Sequence, residues 1–146
     1  MSRALIETLL KTDPALAGIG LLPQFILNQH DVVERPRDDG LFAIIRWEES
    51  TIFSQNYTGM NNGIARAPRM LSLWIHSPME WSTDFELIDR VLDRVDVMFD
   101  EIEDMPGSDG YSITNIGNSS RSGDLKDEGF MTVTRNAAYR VLYRRT

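Results

Sequence analysis

The sequence predicts an α+β fold: a mostly antiparallel sheet of about four strands, two helices packed on one face of it, and one long polar hairpin loop. Three observations predict it. Two segments carry apolar residues at three- and four-residue steps, four others are rich in β-branched and aromatic residues with period-two character, and the segments are separated by Gly, Pro, Asn and Asp. A chain of 146 residues that is 42% hydrophobic and 25% charged suits one globular domain, residues 1–146, with a sizeable core.

The elements follow in order. Ser2 is placed to cap a helix whose Leu5, Ile6, Leu9 and Leu10 share a face, and Asp13-Pro14 ends it. From Ala15 to Gly40 breaker residues dominate, with at most a short strand near Phe25 to Leu27. Leu41 to Phe53 begins as a nearly continuous apolar run, the pattern of a strand covered on both faces. Arg69 to Ser77 alternates Leu71, Leu73 and Ile75 with Met70, Ser72, Trp74 and His76, so these two strands should pair as a hairpin. Between them Ser54 to Pro68 forms the long polar loop, longer than a hairpin needs. Thr83 and Glu86 have capping-box spacing ahead of Phe85, Ile88, Val91, Leu92, Val95, Met98, Phe99 and Ile102, which marks the clearest helix, stopped by Pro106-Gly107. Asp109-Gly110 turns the chain into the strand Tyr111 to Ile116. A second polar loop, Gly117 to Glu128, leads to a final strand from Phe130 to Tyr143, expected to break near Asn136.

Charge is distributed unevenly. The formal net charge is −7, from 22 acidic and 15 basic residues. Asp84, Glu86, Asp89, Asp93, Asp96, Asp100, Glu101, Glu103 and Asp104 face only Arg90 and Arg94 in their own segment, so the rest of the chain is balanced. Two readings stand for this helix: a solvated surface face, with Glu86 and Arg90 as an i,i+4 pair, or a face that meets a basic partner or repels a polyanion. The overall sign argues against a surface built to grip nucleic acid phosphates. Only Lys11 and Lys126 are lysines.

Catalytic patterns are sparse. Without cysteine there are no disulfides, thiolate metal ligands or Cys nucleophile. His76 with Ser77, Glu80 and Asp84 lacks a nucleophile elbow and a Gly-rich oxyanion loop, so it reads as an ordinary strand histidine. His30, Asp31 and Glu34 make a poor ligand supply. The acidic, glycine-bearing turns do not have calcium-loop spacing, and no phosphate-binding loop or dinucleotide fingerprint occurs. No apolar run is long enough to span a bilayer and no leader pattern opens the chain, so synthesis in the cytoplasm is expected and the Asn56 and Asn118 sequons are chance matches. No catalytic residue, metal or cofactor is expected.

Four stretches, "GLFAIIRWEE", "ARAPRMLSLWIHSPMEWSTDFELIDRVLDRV", "GSDGY" and "SGDLKDEGFMTVTRNAAYRVL", together resemble the tail terminator proteins of long-tailed phages, especially those of actinobacteria. The pattern W-I-H-x-P, then S-T-D-F, I-D and L-D-R carries most of it. The resemblance implies a structural virion protein: a ring, typically a hexamer, at the neck end of the tail, assembled in the host cytoplasm. It would end tube elongation and join tail to head. Its partners would be further copies of itself, the major tail tube protein and a head-tail connector or head-completion protein, with DNA only passing through and no membrane contact. The candidate assembly residues are Tyr57, Met60, Ile64 and Arg66 on the hairpin loop, with Gly117 to Glu128 as a second arm. To these are added Arg69, Arg121 and Arg135, candidates to meet Asp89, Asp93 and Asp96 of a neighbouring copy, with Arg140, Arg144 and Arg145 behind them. Rival readings are another neck component, or a small ligand-binding or enzymatic α+β domain whose pocket is walled by Trp47, Trp74 and Trp81.

Overall fold

The first helix, α1 (Arg3–Thr12), forms where Ile6 and Leu10 repeat on one side, and both are buried. Asp13 then does what the sequence reading missed. It ends α1 and starts a second helix, α2 (Pro14–Ile19), by accepting the Leu16 N–H at 3.1 Å while Pro14 occupies the first turn, where no backbone donor is needed. This computed structural model describes residues 3–32, 34–49 and 69–145. The expected hairpin-loop residues Tyr57, Met60, Ile64 and Arg66 lie outside the described residues.

The expected four-stranded sheet with two helices is overturned. Among the described residues seven strands make one curled mixed sheet, a half-barrel, accompanied by three short helices. The strands are β1 (Ile26–Asn28), β2 (Phe42–Glu49), β3 (Arg69–Pro78), β4 (Met105–Pro106), β5 (Tyr111–Arg121), β6 (Leu125–Asp127) and β7 (Thr132–Arg145), and the third helix is α3 (Glu86–Asp100). The order across the sheet is β1-β2-β3-β7-β5-β4, with β6 also on β7. Among the described strands only β1 runs parallel to its neighbour.

The extra strands arise where side-chain pattern is a poor guide. β5 runs past Ile116 through the polar run to Arg121 because its backbone groups pair with β7, and it absorbs two register shifts on the way. β6 then takes over the same edge of β7 opposite Thr132 to Thr134. Most of the supposed second loop is therefore ladder, and β7 is continuous through Asn136. β1 and β4 are too short to show periodicity, yet each satisfies backbone groups at a sheet edge.

The expected β2–β3 hairpin pairing is present, from Phe42 opposite His76 to Glu49 opposite Arg69. The odd-numbered side chains of these strands and β7, including Ala43, Ile45, Leu71, Leu73, Ile75, Ala137, Tyr139 and Val141, join the helices in one core. Ile88, Val91, Leu92, Val95 and Phe99 supply the α3 side of it. The capping box does not form: Phe85 is the N-cap, and Asp84 Oδ1 accepts the Glu86 N–H at 2.9 Å instead.

Candidate assembly surface

Asp89, Asp93 and Asp96 recur at three- and four-residue spacing and therefore form a stripe along α3. Arg121, at the end of β5, and Arg135, on the helix side of β7, rise from the sheet to meet it. Arg121 donates from Nη1 to Asp93 Oδ1 at 3.0 Å and from Nη2 to Asp96 Oδ2 at 2.6 Å. Arg135 bridges Asp89 to Asp124, its Nε lying 2.6 Å from Asp124 Oδ1, and its guanidinium sits 5.4 Å from the Phe85 ring centre. Of the arginines proposed to reach a neighbour's acidic helix, Arg121 and Arg135 thus engage the helix of their own chain.

Asp96 is the hub. Its Oδ1 accepts the Tyr139 hydroxyl at 2.6 Å and the Asn118 amide at 3.1 Å, while Oδ2 accepts Arg121. Tyr139 is fully buried with its ring edge-on to Phe99 at 4.9 Å, so its hydroxyl depends on this acceptor. Burial raises the Tyr139 pKa above the usual phenol value, and the Asp96 hydrogen bond adds to this. For Arg121 partial burial works against the charge, but the hydrogen bond to Asp93 and the charges of Asp96 and Asp93 prevail and raise its pKa; for Arg135 the Asp124 hydrogen bond leads, and its pKa is raised too. The arrangement clamps the β5–β6 corner onto α3 by mutual charge neutralisation.

A second tie joins α3 to the amino-terminal helices. Arg94 donates from Nε and Nη2 to the two oxygens of Asp13, at 3.0 and 2.8 Å, so the α2 cap is also an ion-pair partner. The Arg94 hydrogen bond holds the Asp13 carboxyl below its ordinary value. Sequence reasoning missed Asp13, Asn118, Asp124 and Tyr139. Asp-Pro at a helix junction was a legible cap signal, whereas nothing marks a strand tyrosine as a partner for a distant aspartate.

Other expected residues separate. Arg69 Nε lies 3.4 Å from the Tyr143 hydroxyl, Arg140 is exposed on the opposite side of β7, and Arg144 approaches Asp104 at 3.5 Å. The Glu86–Arg90 pair is not among the ion pairs of the described residues. The three tryptophans do not converge: Trp74 borders a cavity of about 360 Å³ with Arg46, His76, Asp127 and Phe130, Trp47 borders another with His30 and Asp31, and Trp81 stands 43% exposed on a turn. His76 does not pair with Ser77, whose hydroxyl donates to the Ser82 carbonyl. Its Nδ1 faces Thr132 Oγ1 at 2.8 Å, and its ring stacks on Phe42. Among the described residues no group of three or more His, Asp or Glu could hold a metal ion, and no helix is long and apolar enough to cross a membrane.

Neither a family model nor a curated protein sequence matches the chain.

Proposed function

We propose that this chain is a structural ring subunit of the tail-terminator type, which caps a phage tail tube, ends its elongation and presents the tail side of the head-tail joint. One observation supports the reading above others. Within the described residues the segments that carry the resemblance supply β2, β3, the first part of α3, the turn into β5, β6 and β7, which pack around one core. The two most motif-like turns, after "WIHSP" and within "KDEGFMT", lie against each other, the Met79 N–H donating to the Met131 carbonyl at 3.0 Å. In this reading copies of the chain contact one another, the tube protein and a connector or head-completion protein, and DNA passes through without being held.

The experiment is tail assembly with and without the chain, imaged by electron microscopy. Overlong tubes, or tails that fail to join heads, are expected without it. Tails of normal length joined to heads would refute the proposal. The cavity beside Trp74 favours a ligand-binding domain as the second reading, since about 360 Å³ with both apolar and charged walls lies within the usual size for small ligands. That reading gains if normal tails form without the chain.

A further inference from the structure

We infer that the cavity beside Trp74 binds an amino-substituted aromatic anion, a planar ring with an N–H donor at one end and a carboxylate or phosphate at the other. This rests on the ligand-binding reading of the same cavity and is independent of tail assembly. The cavity, about 360 Å³, lies on the face of the sheet turned away from the helices, since its floor is made by even-numbered residues of β2 and β3 whereas the core takes Ala43, Ile45, Leu73 and Ile75. The strand register sets out that floor in order. His76 stands opposite Phe42, Trp74 opposite Ile44, and Arg46 one step further along β2. The middle of the floor is therefore apolar and its ends are polar. At the His76 end the β6–β7 turn adds Asp127 and Phe130, whose ring is edge-on to His76 at 5.6 Å. Four residues of strand at ~3.3 Å each separate the ends by roughly 13 Å of backbone, less the reach of the Arg46 and Asp127 side chains, which is the span of a molecule of one or two rings.

Three polar groups at those ends are unmatched within the fold. His76 is only 2% exposed and its Nδ1 is taken by Thr132 Oγ1 at 2.8 Å, yet its Nε2 makes no hydrogen bond among the described residues and is not sealed from solvent. It opens on the cavity that its ring lines. Burial keeps that ring neutral at neutral pH, so Nε2 offers a hydrogen bond and not a charge. Asp127 uses Oδ1 for the Phe130 N–H at 3.0 Å and pairs with no cation among the described residues, so a negative charge close enough to act on His76 stands uncompensated. Arg46 meets only Glu48, its Nε 3.5 Å away with both side chains half exposed, which leaves the Nη edge of the guanidinium open to a bidentate acceptor. Folded proteins normally satisfy such buried groups themselves. An aminoaryl anion satisfies all three: its ring lies against Trp74 and Ile44, its amino group donates to Asp127 beside Nε2, and its anion takes Arg46. A purely apolar ligand would leave Asp127 and Nε2 unpaired, and a simple anion would bring like charge toward Asp127.

The test is titration of the full chain with four probes, followed by calorimetry and by the NMR signals of the Trp74 indole and the His76 ring. Para-aminophenylacetate and adenosine monophosphate carry both donor and anion, the one as carboxylate and the other as phosphate. Phenylacetate lacks the donor, and para-toluidine lacks the anion. At least one complete probe should move the Trp74 and His76 signals and bind roughly tenfold or more tighter than either incomplete one, since a charge-assisted hydrogen bond is lost with each group removed. The tighter of the two complete probes names carboxylate or phosphate. Asp127→Asn keeps the Oδ1 acceptor for the Phe130 N–H and should erase the preference for para-aminophenylacetate over phenylacetate. Arg46→Gln, on a half-exposed side chain, should erase its preference over para-toluidine, and melting curves show that both variants are folded. A preference that survives in either folded variant overturns the assignment. Equal binding of all four probes with Trp74 and His76 responding refutes the aminoaryl class and keeps the cavity as a ligand site. Silence of Trp74 and His76 toward every probe and toward a broad set of small fragments refutes the ligand-binding reading as well.

Discussion

Lowering the pH from about 7 to 4 should destabilise this protein mainly through one side chain. His76 is buried on β3, its ring 4.8 Å from Phe42 and nearly parallel to it, edged by Phe130, and its Nδ1 against Thr132. Burial lowers its pKa to about 4 from 6.5, with the Asp127 charge working weakly the other way. In the unfolded chain the same imidazole takes its proton near 6.5. Between those values the unfolded state binds more protons than the folded one, so stability falls as pH drops through the interval, is constant above it and levels off below it. At ~1.4 kcal/mol per pH unit the loss amounts to ~3 kcal/mol, a large share of a typical domain stability of ~5–15 kcal/mol. Urea unfolding of the wild type and of His76→Phe/Thr132→Val, at steps between pH ~7 and ~4, measures it. The double replacement keeps an aromatic ring on Phe42 and removes both hydrogen-bonding partners together, so no buried polar atom is orphaned. Carboxylates elsewhere titrate alike in both proteins, and the difference isolates His76. Parallel pH profiles for the two proteins, or a His76 ring titrating near 6.5 by NMR, would refute the reasoning.

Two further outcomes follow from the ion pairs. Asp96→Ala should cost ~2–4 kcal/mol in urea unfolding, because it strands the Tyr139 hydroxyl and an Arg121 bond, whereas Asp100→Asn, at an exposed position with no ion pair among the described residues, should not lower stability. Asp13→Ala should cost at least the ~1 kcal/mol of a lost helix cap at neutral pH. Because Arg94 holds the folded Asp13 carboxyl below its ordinary 3.8, that contribution is present above pH ~4 and lost below it, so the wild-type and variant melting curves should converge in acid.

The long amphipathic helix and the central β2–β3 pairing were legible because each buries one face and so imprints a period on the sequence. α3 covers Glu86–Asp100, and Leu71, Leu73 and Ile75 face the core as their alternation implies. What escaped was structure held by backbone pairing without a buried side-chain rhythm. The run "GNSSR" has no apolar residue, yet it extends β5 because β7 offers free ladder positions opposite it. Ile26 to Asn28 sits among breaker residues and becomes a strand only because β2 lies alongside. The acidic stripe was legible as a stripe. Its partners were not, since Arg121 and Arg135 lie 25 to 46 residues away from the α3 aspartates they meet, and only the curl of the sheet brings them under α3.

The acidic helix consequently divides into two parts with opposite physical roles. Along its first turns and middle, Asp89, Asp93 and Asp96 are each matched by an arginine from the sheet, so removing these charges should loosen the fold. Beyond Asp96, Asp100 and Glu103 form no ion pair among the described residues and lie at or just past the carboxy end of α3, where the helix dipole is itself negative. Such charges oppose the dipole by ~0.3–1 kcal/mol each at low salt, which makes them a liability for the monomer. Asp100→Asn with Glu103→Gln should therefore raise the melting temperature in dilute buffer, and the gain should shrink as salt is added. Asp89→Asn with Asp93→Asn and Asp96→Asn should lower it. A first variant that melts below the wild type would show that Asp100 and Glu103 stabilise α3 after all, and the division of the helix into a clamped part and a presented part would then fail.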